Sequence, residues 1–384
     1  METMDQIILT TDPSFNNNTV EPVVFNVIPK YILIITFISC VLSCLGGVTL
    51  IIIHTCALPR IRNFIRELLI CLTVSNLFHI AADVFGAFMY YLYVEPDVKW
   101  RPFTKDVTVD DLCVAQSFVS SYAPFTEFLW TTVISVYYCS MLLRFEWVSN
   151  LSTRCGRVIL HTVCWGVPGI VCVVALSMGV FGSTDTLYTG PWCWIRSSLS
   201  HTDQIFWMLI TKKLWELLAY LSLGMCLVVQ FLQTCNVTKR KLFSSSRLHN
   251  DSPQRSAPVF TGEGRSTPNT LRPGDRLFFY VWLIFIALRI WGTINFFLHL
   301  ADLENGSYRN TLTGGETFLS AMQAFGDTGQ AFGNFVVLCL CDREVRNSIL
   351  CRRLNNSEHE GVHLLNSERF SKPETRVKKF ESEA

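Results

Sequence analysis

Charge is scarce in this chain. Of its 384 residues, 16% are charged and 50% hydrophobic, and the mean hydropathy is +0.32. A soluble domain carries about 25% charged residues, so the deficit points to a membrane protein. The net charge of +1 gives no basic excess for a nucleic-acid partner. Residues 1–30 are polar, acidic and Asn-rich, without the basic flank and apolar core of a cleavable signal. The first apolar segment is therefore expected to do the targeting. The 15 cysteines fall mostly in apolar segments, where the thiol behaves as a small hydrophobe, so they do not describe a disulfide-dense domain.

Long apolar runs are present in quantity. A membrane-spanning helix needs about 20 such residues, and seven segments qualify: Tyr31–Ile53, Leu68–Tyr93, Val114–Leu143, Val158–Val180, Gln204–Thr234, Leu277–Leu300 and Thr317–Leu340. The expected fold is an all-α membrane protein, a seven-transmembrane helix bundle over residues 31–340. A short basic segment, 341–354, reads as a membrane-surface helix, with Val345, Ile349 and Leu350 against lipid and Arg343, Arg346, Arg352 and Arg353 in water. Cys341 and Cys351 flank it and are candidates for palmitoylation.

Lys and Arg are unevenly shared between the connecting segments. The first, third and fifth hold 14 of them, including Arg60, Arg62, Arg66 and Arg144; the second, fourth and sixth hold 5. The positive-inside rule then puts the N-terminal segment 1–30 outside and the C-terminus inside. Sequons at Asn17 and Asn305 fall outside and are candidate glycosylation sites. On that exterior the cysteines are Cys113 and Cys193, and an oxidising exterior favours a bond between them. The fifth connection, 235–276, and the tail, 355–384, are Ser/Thr-rich and polar. They are expected to be disordered and open to phosphorylation.

Ionisable residues inside the spans are the unusual feature. At about 1.5 Å of rise per residue, Asp83, Glu127, Lys212, Lys213, Glu216, Arg289 and Asp327 all come to the middle or the outer half of a core about 30 Å thick. Charge facing lipid is costly, so these side chains should turn inward and pair. Lys213 reaches Glu216 at i,i+3 and Lys212 reaches it at i,i+4; Arg289 and Asp327 can meet across helices; His79 stands one turn from Asp83. Lys212 can instead snorkel outward. Two readings stand: a set of stabilising interhelical pairs, or a pocket or switch network for a small charged or zwitterionic ligand. Recurrence on so many helices favours the second, with Lys213, Glu216, Arg289, Asp327, Glu127 and Asp83 as its residues. Trp194 and Trp207 read as an interfacial belt, whereas Trp215 and Trp291 suit belt and pocket equally. Gly326, Gly329 and Gly333 are spaced for close helix approach.

Particular residues narrow the class. Trp165-Gly166-Val167-Pro168, Cys193-Trp194, Leu72–Leu77, the run Gly329–Phe335 and Glu344-Val345-Arg346 resemble elements of secretin and adhesion G-protein-coupled receptors. Trp192–Ile195, Trp207–Leu209, Lys213–Glu216, Leu218–Tyr220 and Leu283–Trp291 are similar to the orphan G-protein-coupled receptor 157 family, grouped near slime-mould cyclic-AMP receptors. The resemblance covers all seven spans. It implies a heterotrimeric G-protein partner, Gq-type coupling with phospholipase C output, and a location in the plasma membrane or the ciliary membrane. Arg60, Arg62, Arg66, Arg144 and Arg346 would face that partner or anionic lipid.

The third span ends Leu143-Arg144-Phe145-Glu146, not in the aspartate-arginine-tyrosine triplet of rhodopsin-like receptors. The seventh lacks their asparagine-proline-x-x-tyrosine motif. Residues 1–30 contain no cysteine and cannot make a disulfide-rich hormone-binding domain. A small ligand entering the bundle is therefore expected. No lysine lies between Lys241 and Lys372, which excludes a retinal Schiff base in the seventh span, and His79 is the one deep histidine, which disfavours a zinc hydrolase. Neither an enzyme nor a cofactor is expected. A transporter using the midplane charges as an ion path is the alternative.

Overall fold

The computed structural model describes residues 29–57, 64–94, 109–184, 192–248, 278–304, 314–343 and 345–347. Among them seven rods form one bundle. They are α1 (Lys30–Ile52), α2 (Phe64–Val94), α3 (Val109–Leu142), a fourth made of α5 (Arg154–His161) and α6 (Val167–Ser177), a fifth made of α7 (His201–Met208) and α8 (Leu214–Leu248), then α9 (Phe278–Glu304) and α10 (Gly314–Phe335). The short α4 (Val148–Leu151) precedes the fourth rod. This is the seven-transmembrane helix bundle expected from the apolar runs. Five rods are long and apolar enough to cross a membrane on composition. The other two, α3 and α10, hold the most polar interiors: Gln116, Ser117, Ser121, Glu127, Thr131 and Ser135 on α3, and Gln323, Asp327, Gln330 and Asn334 on α10, are all buried. Their low hydropathy comes from side chains that face other helices, because α3 packs on α2 and α8 while α10 packs on α1 and α9.

Turns of π-helix interrupt four rods, at Ile53–Ala57, Thr162–Gly166, Leu209–Lys213 and Val336–Cys341. The second has an evident cause. Pro168 follows it, lacks an N–H and would press its ring on the carbonyl one turn back, and a widened turn relieves that clash. The third holds Lys212 and Lys213. Its extra residue re-phases the helix and frees the Ile210 carbonyl, which accepts the Trp215 indole N–H at 2.7 Å.

One end of the bundle is closed by a covalent tie. The short strands β1 (Phe181–Gly182) and β2 (Trp194–Ile195) pair antiparallel, Phe181 opposite Ile195. A Cys113–Cys193 disulfide joins this hairpin to the start of α3, as the sequence led us to expect. Gln116 on α3 accepts the Cys193 N–H at 2.6 Å, and Arg196 pairs with Asp110 at 3.0 Å. Two apolar clusters sandwich the polar midsection. One, under the hairpin, contains Phe181, Ile195, Trp207, Met208 and Phe296; the larger, toward the opposite end, contains Leu69, Phe128, Trp130, Tyr138, Trp282 and Phe285. Trp194 and Trp207 are thus buried core residues, not an interfacial belt. Their indoles are large enough to fill the space beneath the hairpin, which outweighs any preference for the lipid surface.

Other expectations are revised by the chain's course. The fifth rod runs to Leu248 instead of ending at Thr234, so 235–248 of the segment expected to be disordered is helical. No glycine or proline occurs between Gly224 and Pro253 to stop it. Val345 is buried in protein, not set against lipid, and Asp342 accepts its N–H. Asn17, Asn305, Arg60, Arg62, Cys351, the rest of the 341–354 surface helix and the tail 355–384 lie outside the described residues.

Gly326 and Gly333 do carry a close helix approach. A Cβ on Gly326 would overlap the Leu288 carbonyl of α9, and one on Gly333 would come 2.7 Å from Ile284 Cγ2. Gly329 has only ordinary contacts. The Gly326 contact sits beside the Arg289–Asp327 pair and sets the α9–α10 spacing there. Gly326→Ala is expected to destabilise the bundle by about 1–3 kcal/mol through overpacking. Thermal unfolding in detergent reads this as a lowered Tm; an unchanged Tm would contradict the contact.

Candidate functional site

Arg289 on α9 is fully buried. A guanidinium stays charged and presents five donors, so burial demands acceptors. Its Nη2 meets Glu127 Oε1 on α3 at 2.5 Å, and its Nη1 donates to Asp327 Oδ1 on α10 at 3.2 Å. The Phe128 ring lies 5.4 Å from its Cζ. Three helices therefore meet on one cation. His79 on α2 joins them: its Nδ1 lies 3.2 Å from Arg289 Nη2 and 3.3 Å from Glu127 Oε2, and its Nε2 lies 3.6 Å from Asp83 Oδ2. The last distance is an electrostatic approach, too long for a hydrogen bond. On the far side of Asp327, Gln323 donates to Oδ2 at 3.3 Å and accepts from Asn295 at 2.7 Å.

A second centre lies one turn along α9. Lys213 donates to Glu216 Oε2 at 2.8 Å and to the Gly292 carbonyl at 3.1 Å. The other Glu216 oxygen accepts from Thr293 at 2.7 Å and Tyr220 at 3.1 Å. Both carboxylate oxygens are thus occupied, and α8 is fastened to α9. The π-turn makes this possible by turning Lys213 inward while Lys212 takes a different direction. Lys212 does not use Glu216. Its Nζ stands 5.7 Å from the Trp194 ring centroid and, among the described residues, has no ion-pair partner.

These groups surround a cleft under the hairpin of about 30 Å³, room for about one or two waters. Asp83, Lys212, Lys213 and Asp327 line it, under Trp192, Trp194 and Phe296. The cleft mixes unlike charges with aromatic faces. Four acidic side chains, Asp83, Glu127, Glu216 and Asp327, share this region with three basic ones, Arg289, Lys212 and Lys213. All six pocket or network residues read from the sequence come together here. His79, Gln323, Asn295, Thr293 and the Gly292 carbonyl complete the set. The i,i+4 spacing to Asp83 marked His79 in advance. Thr293 and Asn295 left only a faint trace as polar positions in an apolar span. Among the described residues no group of three or more His, Cys, Asp or Glu side chains could hold a metal ion.

The arginines read as a partner-facing rim divide. Arg144 is exposed, in a left-handed turn with φ 58°, and Arg346 is exposed. Arg66 is buried: it pairs with Asp342 at 3.0 Å, and its Nη1 lies 3.5 Å from His54 Nε2. It fastens the end of the last rod to the start of α2 and has no surface to offer a partner. Counting loop arginines could not detect this, because the acceptor is 276 residues away.

Lys213→Met should leave Glu216 buried without its cation, a loss of about 3–5 kcal/mol. Adding Glu216→Gln should restore most of it. The yield of folded, surface-expressed protein reads the pair; equal yields for the single and double variants would contradict a coupled site.

No family model matches the chain. It is similar to G-protein coupled receptor 157 of Mus musculus, 28% identical over 315 residues, covering 82% of this chain and 83% of that one. To the Homo sapiens protein of the same name it is 28% identical over 317 residues, 82% of each. To the Rattus norvegicus protein it is 27% identical over 324 residues, 82% of this chain and 83% of the other. Matching coverage on both sides means that the likeness spans the bundle. With seven packed rods, a hairpin bonded to α3 and a charged centre beneath it, the chain is similar in length and course to the G-protein coupled receptor 157 proteins of three mammals.

Proposed function

We propose that this protein carries a signal from a small extracellular ligand to a heterotrimeric G protein. The ligand binds at the mouth of the cleft under the hairpin, which faces outside with the N-terminus, and its entry widens a space that holds about 30 Å³ when closed. One observation carries this reading: the ion network joins α2, α3, α8, α9 and α10 directly beneath a cleft that still holds an uncommitted cation, Lys212. A ligand bearing both an anionic and a cationic group would compete with the Trp194 face for Lys212 and with His79 for Asp83. Either exchange changes the charge balance around Arg289 and hence the relative energies of two packings of the rods. Ligand that binds one packing better shifts the population toward it. The opposite ends of the rods then open for a G-protein helix.

Resemblance to the receptor family supports the Gq type with phospholipase C output and a location in the plasma membrane or the ciliary membrane. Exposed Arg144 and Arg346 suit a partner at that face, and Arg60 and Arg62 keep the role read from the sequence. Lys213, Glu216, Arg289, Asp327, Glu127 and Asp83 form the switch.

Expressed with a panel of G-protein dissociation sensors, the chain should lower the Gq-sensor signal relative to empty vector. Glu216→Gln, at matched surface expression, should change that basal signal at least twofold, about 0.4 kcal/mol of shifted equilibrium. No response from any sensor, together with ion-dependent substrate flux in proteoliposomes, would replace the receptor with a transporter.

A further inference from the structure

The outward face of α5 carries a groove unrelated to the cleft. It measures about 580 Å³ and is lined by Ser152, Arg154, Arg157, Val158, His161 and Thr162. Residues 154, 157, 158, 161 and 162 share one helix face at i,i+3 and i,i+4 spacing. The rod begins at Arg154, so the groove lies where a spanning helix leaves the apolar layer. Beyond it, Val158, Ile159 and Val163 are 60%, 56% and 44% exposed, a surface for acyl chains.

The two arginines differ usefully. Arg157 is held in place: Nη1 pairs with Glu67 at 3.1 Å, Nε donates to the Ser152 carbonyl at 3.1 Å, and the guanidinium lies 5.6 Å from the Phe64 ring centroid. Its fork is fixed in direction before anything binds, while its Nη2 has no hydrogen-bond partner among the described residues. Arg154 is exposed and, among the described residues, has no carboxylate partner. His161 is exposed at the groove, with its ring 5.2 Å from Trp130. A fixed guanidinium, a free one and an imidazole thus border one open groove on the outward face of the helix. Guanidinium forks match phosphate oxygens.

We propose that this groove docks the headgroup of a phosphoinositide in the adjoining leaflet, with an acyl chain running along Val158 and Ile159. Several phosphate oxygens suit two forks at once, whereas a phosphatidylserine headgroup offers one phosphate and brings its own ammonium. Glu67 tempers the site, because it neutralises Arg157 until the headgroup competes for the guanidinium.

The test uses the full chain in nanodiscs of phosphatidylcholine containing a fluorescent phosphatidylinositol 4,5-bisphosphate as acceptor. Energy transfer from a donor label on the protein reads binding. Arg154→Gln should weaken binding about fivefold, the effect of one basic residue near an anionic surface. Glu67→Gln, which frees Arg157, should strengthen it. Unchanged binding in Arg154→Gln, or weaker binding in Glu67→Gln, overturns the assignment. So does phosphatidylserine at matched charge displacing the probe equally well, which would leave only general attraction to a charged surface. Soluble inositol 1,4,5-trisphosphate competing as strongly as the lipid would assign the groove to a free phosphate and overturn lipid docking.

Discussion

A permanent cation with no exposed surface governs the arrangement of this bundle. Moving a charged group from water to a low-dielectric interior costs on the order of 20 kcal/mol in the idealised limit, and several kcal/mol after relaxation. Arg289 meets that cost only where Glu127, Asp327 and the His79 ring converge on it. Those groups come from α3, α10 and α2, so three helices must hold their register for a fourth to be tolerated. Gly326 lets α10 approach the α9 backbone beside this centre. The Lys213–Glu216 pair then fastens α8 to α9 through the Gly292 carbonyl and Thr293. Polar economy also explains why α3 and α10 are poor in hydropathy yet rich in buried contacts.

Such a centre is unusual as a stabiliser, since apolar side chains of similar volume often do as well. The proposed switch rests on a different property of such a centre. Hydrogen-bonded charges exchange partners in discrete steps, whereas packed apolar groups resist any rearrangement. The cleft touches the network at Asp83, Lys213 and Asp327, and a rigid tie, the Cys113–Cys193 bond, holds its roof to α3. In the proposed mechanism this is why a disturbance at Lys212 or Asp83 passes to the helices and not into a loose hairpin.

Much of this was legible in the sequence because lipid imposes a harsh rule on charge. Residues such as Glu127 and Arg289 inside apolar runs have to face inward, and depth alone brought seven ionisable side chains to one level. The Cys113–Cys193 bond was legible from compartment logic. Other features depend on shape. The Lys213–Glu216 pair was legible at i,i+3, but the π-turn at Leu209–Lys213, beside which Lys212 takes the Trp194 ring and not Glu216, was not. Burial of Trp207 follows from the hairpin folding over it, and Trp194 is buried as part of that hairpin. Arg66 looked like a rim cation because Asp342, its partner, is remote in sequence and next to it in space.

The central claim is that Arg289 organises the bundle through its two carboxylates. Removing the cation alone should do harm that removing all three charges does not. Surface-expressed, detergent-purified Arg289→Met and Arg289→Met/Glu127→Gln/Asp327→Asn proteins, compared by Tm, measure this directly. The account predicts a marked loss of Tm for the single variant and recovery of most of it in the triple. A triple variant as unstable as the single, or a single variant as stable as the parent, would contradict it.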